Sequence, residues 1–365
     1  MEEWKSYKLS QISSFRTGKL DSNASCINGK YPFFTCSPET LSINEYAFDQ
    51  KAVLLAGNNA EGIFSVKYYE GKFNAYQRTY VFTADESIVD PYFLFYALKI
   101  CLQDFKQMSQ GTSTKFLTAK ILNSFEIQVP PLCSQKRIVL ILKSIDDKIA
   151  LNNRINHNLE EQAQALYKSW FVDFEPFKDG KFVDSELGMI PEGWHVGTLS
   201  ELVEVRYGKD HKMLNDGRIP VYGSGGLMRY ADRALFKSES VLIPRKGTLN
   251  NVMYVSHPFW TVDTMFYTIG KAEHVIKYAH LFLLTQDLAS MNAGSAVPSM
   301  TTDILNKLPV LIPTLEVLNS FDNIVSSVYS VIRGDQVENA SLASARDSIL
   351  PQLMSGAIDI NSLAC

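Results

Sequence analysis

The chain has 365 residues, of which 46% are hydrophobic, so it can bury a large core, and its length predicts two or three domains. No apolar run reaches the roughly 18 residues that span a membrane, and the acidic N-terminus lacks a signal-peptide core, so we expect a cytoplasmic protein. Five scattered cysteines and six histidines without ligand spacing favour free thiols and no metal site or other cofactor.

The first predicted domain covers residues 1–131 and mixes short strands with a helix. Apolar segments bounded by turn residues predict strands at about 52–55, 64–69 and 80–83. A helix is expected to follow at about 90–106.

Residues 132–174 are predicted to form one long helix of nearly 40 residues, roughly 55 Å in length. Its apolar residues recur at two positions per heptad, the pattern of helices that pack along each other. They are Ile138, Leu142, Ile145, Ile149, Leu159, Ala163, Leu166 and Trp170. Tyr167, Trp170 and Phe171 form an aromatic cluster at the helix end. This cluster is either a core plug between helix and domain or a docking surface.

Residues 175–193 are expected to be a surface linker, because they contain Pro and Gly pairs. A second mixed domain, 194–315, follows, with strands predicted at about 240–244, 251–256 and 265–269 and a helix at about 276–288. A second long helix is predicted for residues 316–356, before a tail at 357–365.

The second helix repeats the first at an offset of 183 residues. Its matching positions are Phe321, Val325, Val328, Ile332, Leu342, Arg346, Ile349 and Leu353, and Arg346 alone interrupts the apolar stripe. The polar residues Asn152 and Asn156 correspond to Asp335 and Asn339. We therefore expect the helices to pack on each other with these polar layers aligned, Asn152 opposite Asp335. The alternative is that each helix packs only on its own domain.

The two domains, here called the first and second heads, also repeat each other. Trp4, Leu9, Arg16, Gly18 and Lys19 match Trp194, Leu199, Arg206, Gly208 and Lys209, and Val53-Leu54-Leu55 matches Val241-Leu242-Ile243. The offset drifts from 190 to 183 residues, which indicates duplication followed by changes in loops.

The net charge of −4 alone argues against nucleic acid, but its distribution weakens that argument. Residues 1–131 contain 13 basic and 13 acidic groups, and residues 190–313 contain 12 and 11, so the negative excess lies outside the heads. A near-neutral head can bind DNA if its basic residues share one face. We find no phosphate-binding loop, dinucleotide fingerprint, nucleophile elbow or zinc-protease motif.

Two segments carry a family resemblance: Ala165-Leu166-Tyr167-Lys168-Ser169-Trp170-Phe171-Val172-Asp173-Phe174, and Asp184-Ser185-Glu186-Leu187-Gly188-Met189-Ile190-Pro191-Glu192-Gly193-Trp194. With the strand exits Pro130-Pro131-Leu132 and Pro313-Thr314-Leu315, they resemble the DNA-specificity subunit of type I restriction-modification systems, over essentially the whole chain. The resemblance implies an α+β fold with two target-recognition domains separated by an antiparallel coiled coil.

The resemblance also implies the function and the partners. Each head would read one half of a bipartite site in double-stranded DNA, and the coiled coil would set the spacer and bind two methyltransferase subunits. Restriction subunits with translocase activity would join this core, and the chain itself would be non-catalytic. Two alternatives are a two-headed scaffold that binds proteins, and a self-sufficient DNA nuclease or methyltransferase.

Polar loops at matching places in the heads are the candidate DNA contacts, because such side chains reach base edges and phosphates. They are Asn58, Asn59, Arg78, Thr112, Ser113, Thr114 and Lys115 in the first head, and Ser224, Arg245, Lys246, Thr248, Asn250, Asn251, Ser295 and Ser299 in the second. The candidate coiled-coil interface consists of Ile138, Leu142, Ile145, Ile149, Asn152, Leu159, Leu166, Phe321, Val325, Val328, Ile332, Asp335, Leu342, Ile349 and Leu353.

Overall fold

The computed structural model describes residues 4–291, 299–358 and 360, which divide into two compact units. The first unit contains residues up to 152 and those from 337 onward, and the second contains residues 153–336. Each unit therefore joins one head to part of both long helices. This division differs from the predicted domain boundaries, which kept each helix apart from the heads.

Among the described residues, the helices of the first unit are α1 (Leu9–Ile12), α2 (Pro91–Ile100), α3 (Leu102–Met108) and α4 (Ala119–Ser124), followed by α5 (Leu132–Phe171), which continues into the second unit. The predicted helix at 90–106 is thus two helices, broken at Cys101. The helices of the second unit are α6 (Leu199–Leu202), α7 (Val275–Leu284), α8 (Thr302–Asn306) and the first part of α9 (Leu315–Met354). None of these helices combines the length and apolar character that crossing a membrane requires.

The strands of the first unit are β1 (Lys5–Lys8), β2 (Ser13–Thr17), β3 (Tyr31–Phe34), β4 (Leu41–Ile43), β5 (Phe48–Ala56), β6 (Asn58–Asn59), β7 (Val66–Ala75), β8 (Thr79–Ala84), β9 (Lys115–Phe116) and β10 (Glu126–Val129). Six of them form a sheet in the order β2-β8-β5-β7-β3-β4, while β1 pairs with β10 and β6 with β9.

The central strand β5 is buried on both faces, as its unbroken apolar run predicts. Val53 and Leu55 belong to the core that the sheet shares with α2 and α5, whereas Ala52 and Leu54 belong to the core on the opposite face. The alternation follows from the two-residue period of a strand.

The strands of the second unit are β11 (Phe182–Val183), β12 (Ile190–Pro191), β13 (His195–Thr198), β14 (Val203–Tyr207), β15 (Ile219–Gly223), β16 (Gly226–Ala231), β17 (Ser240–Pro244), β18 (Met253–Val255), β19 (Trp260–Thr261), β20 (Met265–Gly270) and β21 (Pro309–Ile312). The sheet β14-β20-β17-β18 repeats the order β2-β8-β5-β7, and the pair β13-β21 repeats β1-β10. The single strand β7 of the first head corresponds to two short strands, β18 and β19, in the second.

Within the first unit, the two long helices pack in opposite directions. Arg346 Nη1 lies 2.6 Å from Asp146 Oδ1, while Asn152 Nδ2 donates to Glu338 Oε2 and Asn339 Oδ1 at 2.7 and 2.9 Å. Numbers rise along α5 as they fall along α9, so the helices are antiparallel. Asn152 therefore contacts Asn339, and the expected pairing with Asp335 is wrong. The offset of 183 residues relates equivalent positions of the two copies, and in antiparallel helices equivalent positions do not lie opposite each other.

The second unit shows the same antiparallel packing through aromatic contacts. The ring of Phe321 near the start of α9 lies 4.8 Å from that of Phe171 at the end of α5, and 5.6 Å from Trp170. Tyr167 and Phe171 are each only 5% exposed and pack against Tyr278 of α7. This aromatic cluster is therefore part of the core between helix and head.

The predicted coiled-coil positions are all buried or half-buried, and many of them also contact a head. Ile138 and Leu142 share the core of the first head with Leu353, and Phe321 and Val325 lie in the core of the second. The helices thus pack on each other and on the heads together, which combines the two alternatives that the sequence left open.

The segment 175–193 is more ordered than the surface linker that we expected. It contains a short 3-10 helix (Glu175–Phe177) and the β11-β12 hairpin. Phe177 packs at 4.9 Å on the ring of Trp194, and Ile190 is 3% exposed. Its apolar side chains explain the difference, because burying them removes apolar surface from water.

Candidate nucleic-acid interface

Three loops of the first head meet at one end of β5. Gly57, directly after β5, donates its N–H to the Arg78 carbonyl at 2.8 Å, and its own carbonyl accepts the Leu117 N–H at 2.9 Å. The next residues, Asn58 and Asn59, pair with β9. These hydrogen bonds bring together the loops at residues 57–59, 77–79 and 110–115, which contain the predicted DNA contacts of the first head.

The second head repeats this hydrogen-bond pattern residue for residue. Arg245, directly after β17, donates its N–H to the Thr264 carbonyl at 2.8 Å, and its carbonyl accepts the Met300 N–H at 2.8 Å. A β-bridge joins Lys246 to Ser299, as β6 is joined to β9 in the first head. The loops after the central strand and before the last short helix therefore meet in both heads.

Two matched glycines explain why the sequences agree beside these loops. A Cβ on Gly18 would lie 1.7 Å from the Ala75 carbonyl oxygen, and one on Gly208 would lie 2.0 Å from that of Val262. Backbone oxygens this close leave no space for a side chain, so only glycine fits. The preceding residues, Thr17 and Tyr207, consequently lie at the edge where the loops meet.

The predicted residues of the first head differ in how free their side chains are. Arg78 and the run Thr112–Thr114 are exposed, whereas Asn58 and Lys115 are half-buried. The Asn59 side-chain carbonyl accepts the backbone N–H groups of Glu61 and Ile63 at 2.8 and 3.1 Å, so it stabilises its own turn. A cavity of about 310 Å³ lies among the loops, lined by Thr17, Gly57, Gln77, Arg78, Tyr80, Phe116 and Leu117.

Tyr80 fixes the inner wall of this cavity. Its hydroxyl donates to the Leu117 carbonyl at 2.9 Å. Burial raises the pKa of Tyr80, and the nearby Arg78 opposes that rise. The hydroxyl therefore stays protonated at neutral pH and continues to donate.

In the second head, Lys246 and Thr248 are exposed, and Arg245 is half-buried. Arg245 Nη1 donates to the Asp263 carbonyl at 3.1 Å, and its guanidinium lies 5.4 Å from the Tyr207 ring centroid. Arg245 is thus held in position.

Two predicted asparagines of the second head have structural partners. Asn250 donates to Asp287 Oδ1 at 3.1 Å and accepts the Ala289 N–H at 2.9 Å. Asn251 donates to the Ser224 carbonyl at 2.7 Å, which ties its loop to the hairpin tip. Ser295 lies outside the described residues.

Sequence reasoning missed several residues that share these edges. Tyr207 is 51% exposed beside Arg245, and Thr17 lines the cavity of the first head. The Lys106 and Lys115 stems both lie 3.2 Å from a Cβ built on Gly62, so these two cations are neighbours. Thr17 and Tyr207 could have been found from the matched strings Arg16-Thr17-Gly18-Lys19 and Arg206-Tyr207-Gly208-Lys209, because these strings mark the same edge in both heads.

Across the part of the chain that the structure describes, no cluster of three or more His, Cys, Asp or Glu residues could hold a metal ion. The two edges instead present hydroxyls, amides and cations on loops. Such groups bind phosphates and base edges through hydrogen bonds.

The chain is similar in sequence to known proteins. Residues 1–161 and 191–333 match the family model of the type I restriction modification DNA specificity domain. The specificity subunit of the type I restriction enzyme EcoDI from Escherichia coli is 36% identical over 164 residues, which cover 45% of this chain and 35% of that protein. The HindI specificity subunit from Haemophilus influenzae is 24% identical over 470 residues, covering 98% of this chain and all of that protein.

A solved structure has the same fold. The crystal structure of the type I restriction-modification S subunit from M. genitalium aligns with a TM-score of 0.61 and 18% identity, over 96% of both chains. The two matched segments of the family model cover most of the sequence, one in each half. The chain therefore belongs to the type I restriction-modification DNA specificity family and carries two copies of its domain.

Proposed function

We propose that each head reads one half of a bipartite site in double-stranded DNA, and that catalysis belongs to other subunits. The observation that carries this proposal is the repeated hydrogen-bond pattern around Gly57 and Arg245, which gathers corresponding polar loops in both heads. A duplicated edge of hydroxyls, amides and cations suits two separate contacts with one duplex.

The long helices are proposed to set the distance between the half-sites and to bind two methyltransferase subunits, with restriction and translocase subunits completing the complex. Several apolar side chains on these helices are exposed, among them Leu140 (70%), Leu151 (45%) and Val331 (48%). Exposed apolar surface on a helix supports a protein partner.

The proposal is tested by changing one cation in each head. Arg78→Ala and Lys246→Ala remove exposed cations from the first and second edges. Binding is measured on DNA libraries with each half-site randomised, using the chain assembled with its methyltransferase. Each substitution should affect only its own half-site. A base contact should cost about 1–3 kcal/mol at one base pair, whereas a phosphate contact should weaken binding to all sequences alike and reduce its salt dependence.

Lys237→Ala, at another exposed lysine of the second head, is the matched control for loss of charge. If Arg78→Ala altered both half-sites equally, or if neither substitution affected binding, the proposed reading edges would be incorrect. Without its partners the chain should neither methylate nor cleave DNA.

A further inference from the structure

The second unit contains a cavity of about 510 Å³ between its head and the long helices. The inner wall includes the buried Ala163, His280 and Ile332, and the exposed Glu160 and Gln336 contribute to its lining. Pockets that bind small molecules commonly have volumes of roughly 300–1,000 Å³.

The duplication shows why this cavity exists. In the first unit, the Tyr96 hydroxyl donates to Asp146 at 2.7 Å, and Asp146 pairs with the long side chain of Arg346. Offsets of 184 for α2 and α7 and 183 for the long helices place His280, Tyr329 and Ala163 at the equivalent positions. His280 Nδ1 and the Tyr329 hydroxyl are 2.6 Å apart, but alanine leaves the place of arginine open.

The polar groups that line the cavity are not all satisfied. Arg333 makes no ion pair or hydrogen bond with any residue in the described part of the chain. His257 Nε2 lies 3.1 Å from the Tyr222 hydroxyl, while its buried Nδ1 has no hydrogen-bond partner among the residues that the structure describes. Burial and, to a lesser extent, the nearby Arg333 together lower the pKa of His257 to about 4, so the ring is neutral at pH 7. A neutral ring offers one donor or acceptor beside a free guanidinium.

The rest of the lining suits a planar body. Three tyrosines, Tyr222, Tyr254 and Tyr329, contribute aromatic rings, and aromatic rings stack on nucleobases. Side-chain amides of Gln164 and Gln336 also line the cavity, and amides bind base edges through paired hydrogen bonds. The Glu160 carboxylate, which also lines the cavity, provides an acceptor for an exocyclic amine.

We propose that this cavity binds a nucleoside monophosphate, with the phosphate at Arg333 and the base among the tyrosines. Guanidinium groups bind phosphate in a fixed, forked geometry, which fits the unpaired Arg333. The cavity borders one of the loops proposed to contact DNA, since Asn251 contributes to its lining, but the inference does not depend on that proposal.

The test is isothermal titration of the full chain with adenosine monophosphate, adenosine and inorganic phosphate. We expect one saturable site for adenosine monophosphate and much weaker binding of its two parts. Ala163→Arg places in the cavity the residue found at the equivalent position of the first unit, and should abolish binding. Arg333→Gln should weaken binding by about 10- to 100-fold, as expected for loss of a charged hydrogen bond.

Ala165→Arg, at an exposed position of the same helix, is the matched control and should bind like the unmodified chain. Circular dichroism melting establishes whether each variant is folded. If Ala163→Arg is unfolded, the affinity of Arg333→Gln for adenosine monophosphate tests the proposal. Absence of saturable binding, equal affinity for inorganic phosphate, or unchanged affinity in folded Ala163→Arg or Arg333→Gln would overturn the proposal.

Discussion

At the scale of single residues, the duplicated halves use different chemistry at equivalent positions. Arg346, which interrupts the apolar stripe of the second helix, is explained by Asp146 on the facing helix. Their side chains are 17% and 29% exposed, so the pair is shielded from water much more than a surface ion pair. Removing one partner of such a pair leaves a poorly hydrated charge.

We therefore predict that Arg346→Ala lowers the free energy of unfolding by about 1–3 kcal/mol, since Asp146 loses its charged partner. Urea denaturation of the full chain measures the effect. Lys51→Ala, which breaks an ion pair whose side chains are 43% and 59% exposed, is the control and should cost under about 1 kcal/mol. Equal losses of unfolding free energy in the two variants would show that the Arg346–Asp146 pair stabilises the protein no more than an exposed ion pair does.

His280 predicts a pH dependence. Burial lowers its pKa from 6.5 to about 4, so the folded protein excludes a proton that the unfolded chain binds. The stability that the neutral His280 ring contributes is fully present above pH 6.5 and is lost as the pH falls toward 4. The loss is at most about 3 kcal/mol. His280→Gln should reduce the drop in melting temperature between pH 7 and pH 5, with His157→Gln at an exposed position as control. An unchanged drop in His280→Gln would contradict the assignment.

At the scale of elements, a cluster of charges joins α7 to α9. Lys277 Nζ lies 3.0 Å from Asp322 Oδ1 and 3.3 Å from Glu239 Oε2, and His274 Nδ1 lies 2.9 Å from the other Asp322 oxygen. The Lys277 and Asp322 side chains are each 11% exposed. This cluster specifies how the second head packs on the start of α9.

Lys277→Met should destabilise the protein by about 3–5 kcal/mol, because it leaves the Asp322 carboxylate, which is only 11% exposed, without its lysine partner. Adding Asp322→Leu should restore part of the loss, since an apolar pair of similar size removes the unpaired charge. Chemical denaturation of the two variants measures this coupling. If the double variant were less stable than Lys277→Met alone, burial of unpaired charge would not be the main cost.

At the scale of the whole molecule, α5 and α9 are the two elements that belong to both compact units. Each is 40 residues long, and their bounds differ by the same 183 residues that separate the sequence copies. Helix length is therefore the property expected to determine the spacing of the half-sites in the proposed function.

Inserting four residues near Asn152 and four near Asn339, its partner on α9, adds about 6 Å to each helix. The apolar stripe is largely preserved, because four residues turn the helix about 40° beyond one full rotation. The recognised spacer should lengthen by one or two base pairs while both half-sites stay the same, as measured by mapping methylated sites. Insertion into α5 alone is the mismatched control and should impair assembly. An unchanged spacer in a complex that still binds would show that the helices do not set the distance.

The sequence by itself determined the duplication, the two long helices, the buried central strands and the family, because periodicity and repeated motifs are local properties of the chain. Only the tertiary structure decided that Asn152 meets Asn339, that the segment 175–193 folds into the second unit, and that Ala163 opens a cavity. It also revealed that Asn59 stabilises its own turn and that Asn250 is bonded to the segment after α7. These outcomes depend on which distant segments pack together, and an offset between two copies carries no information about the direction of their packing.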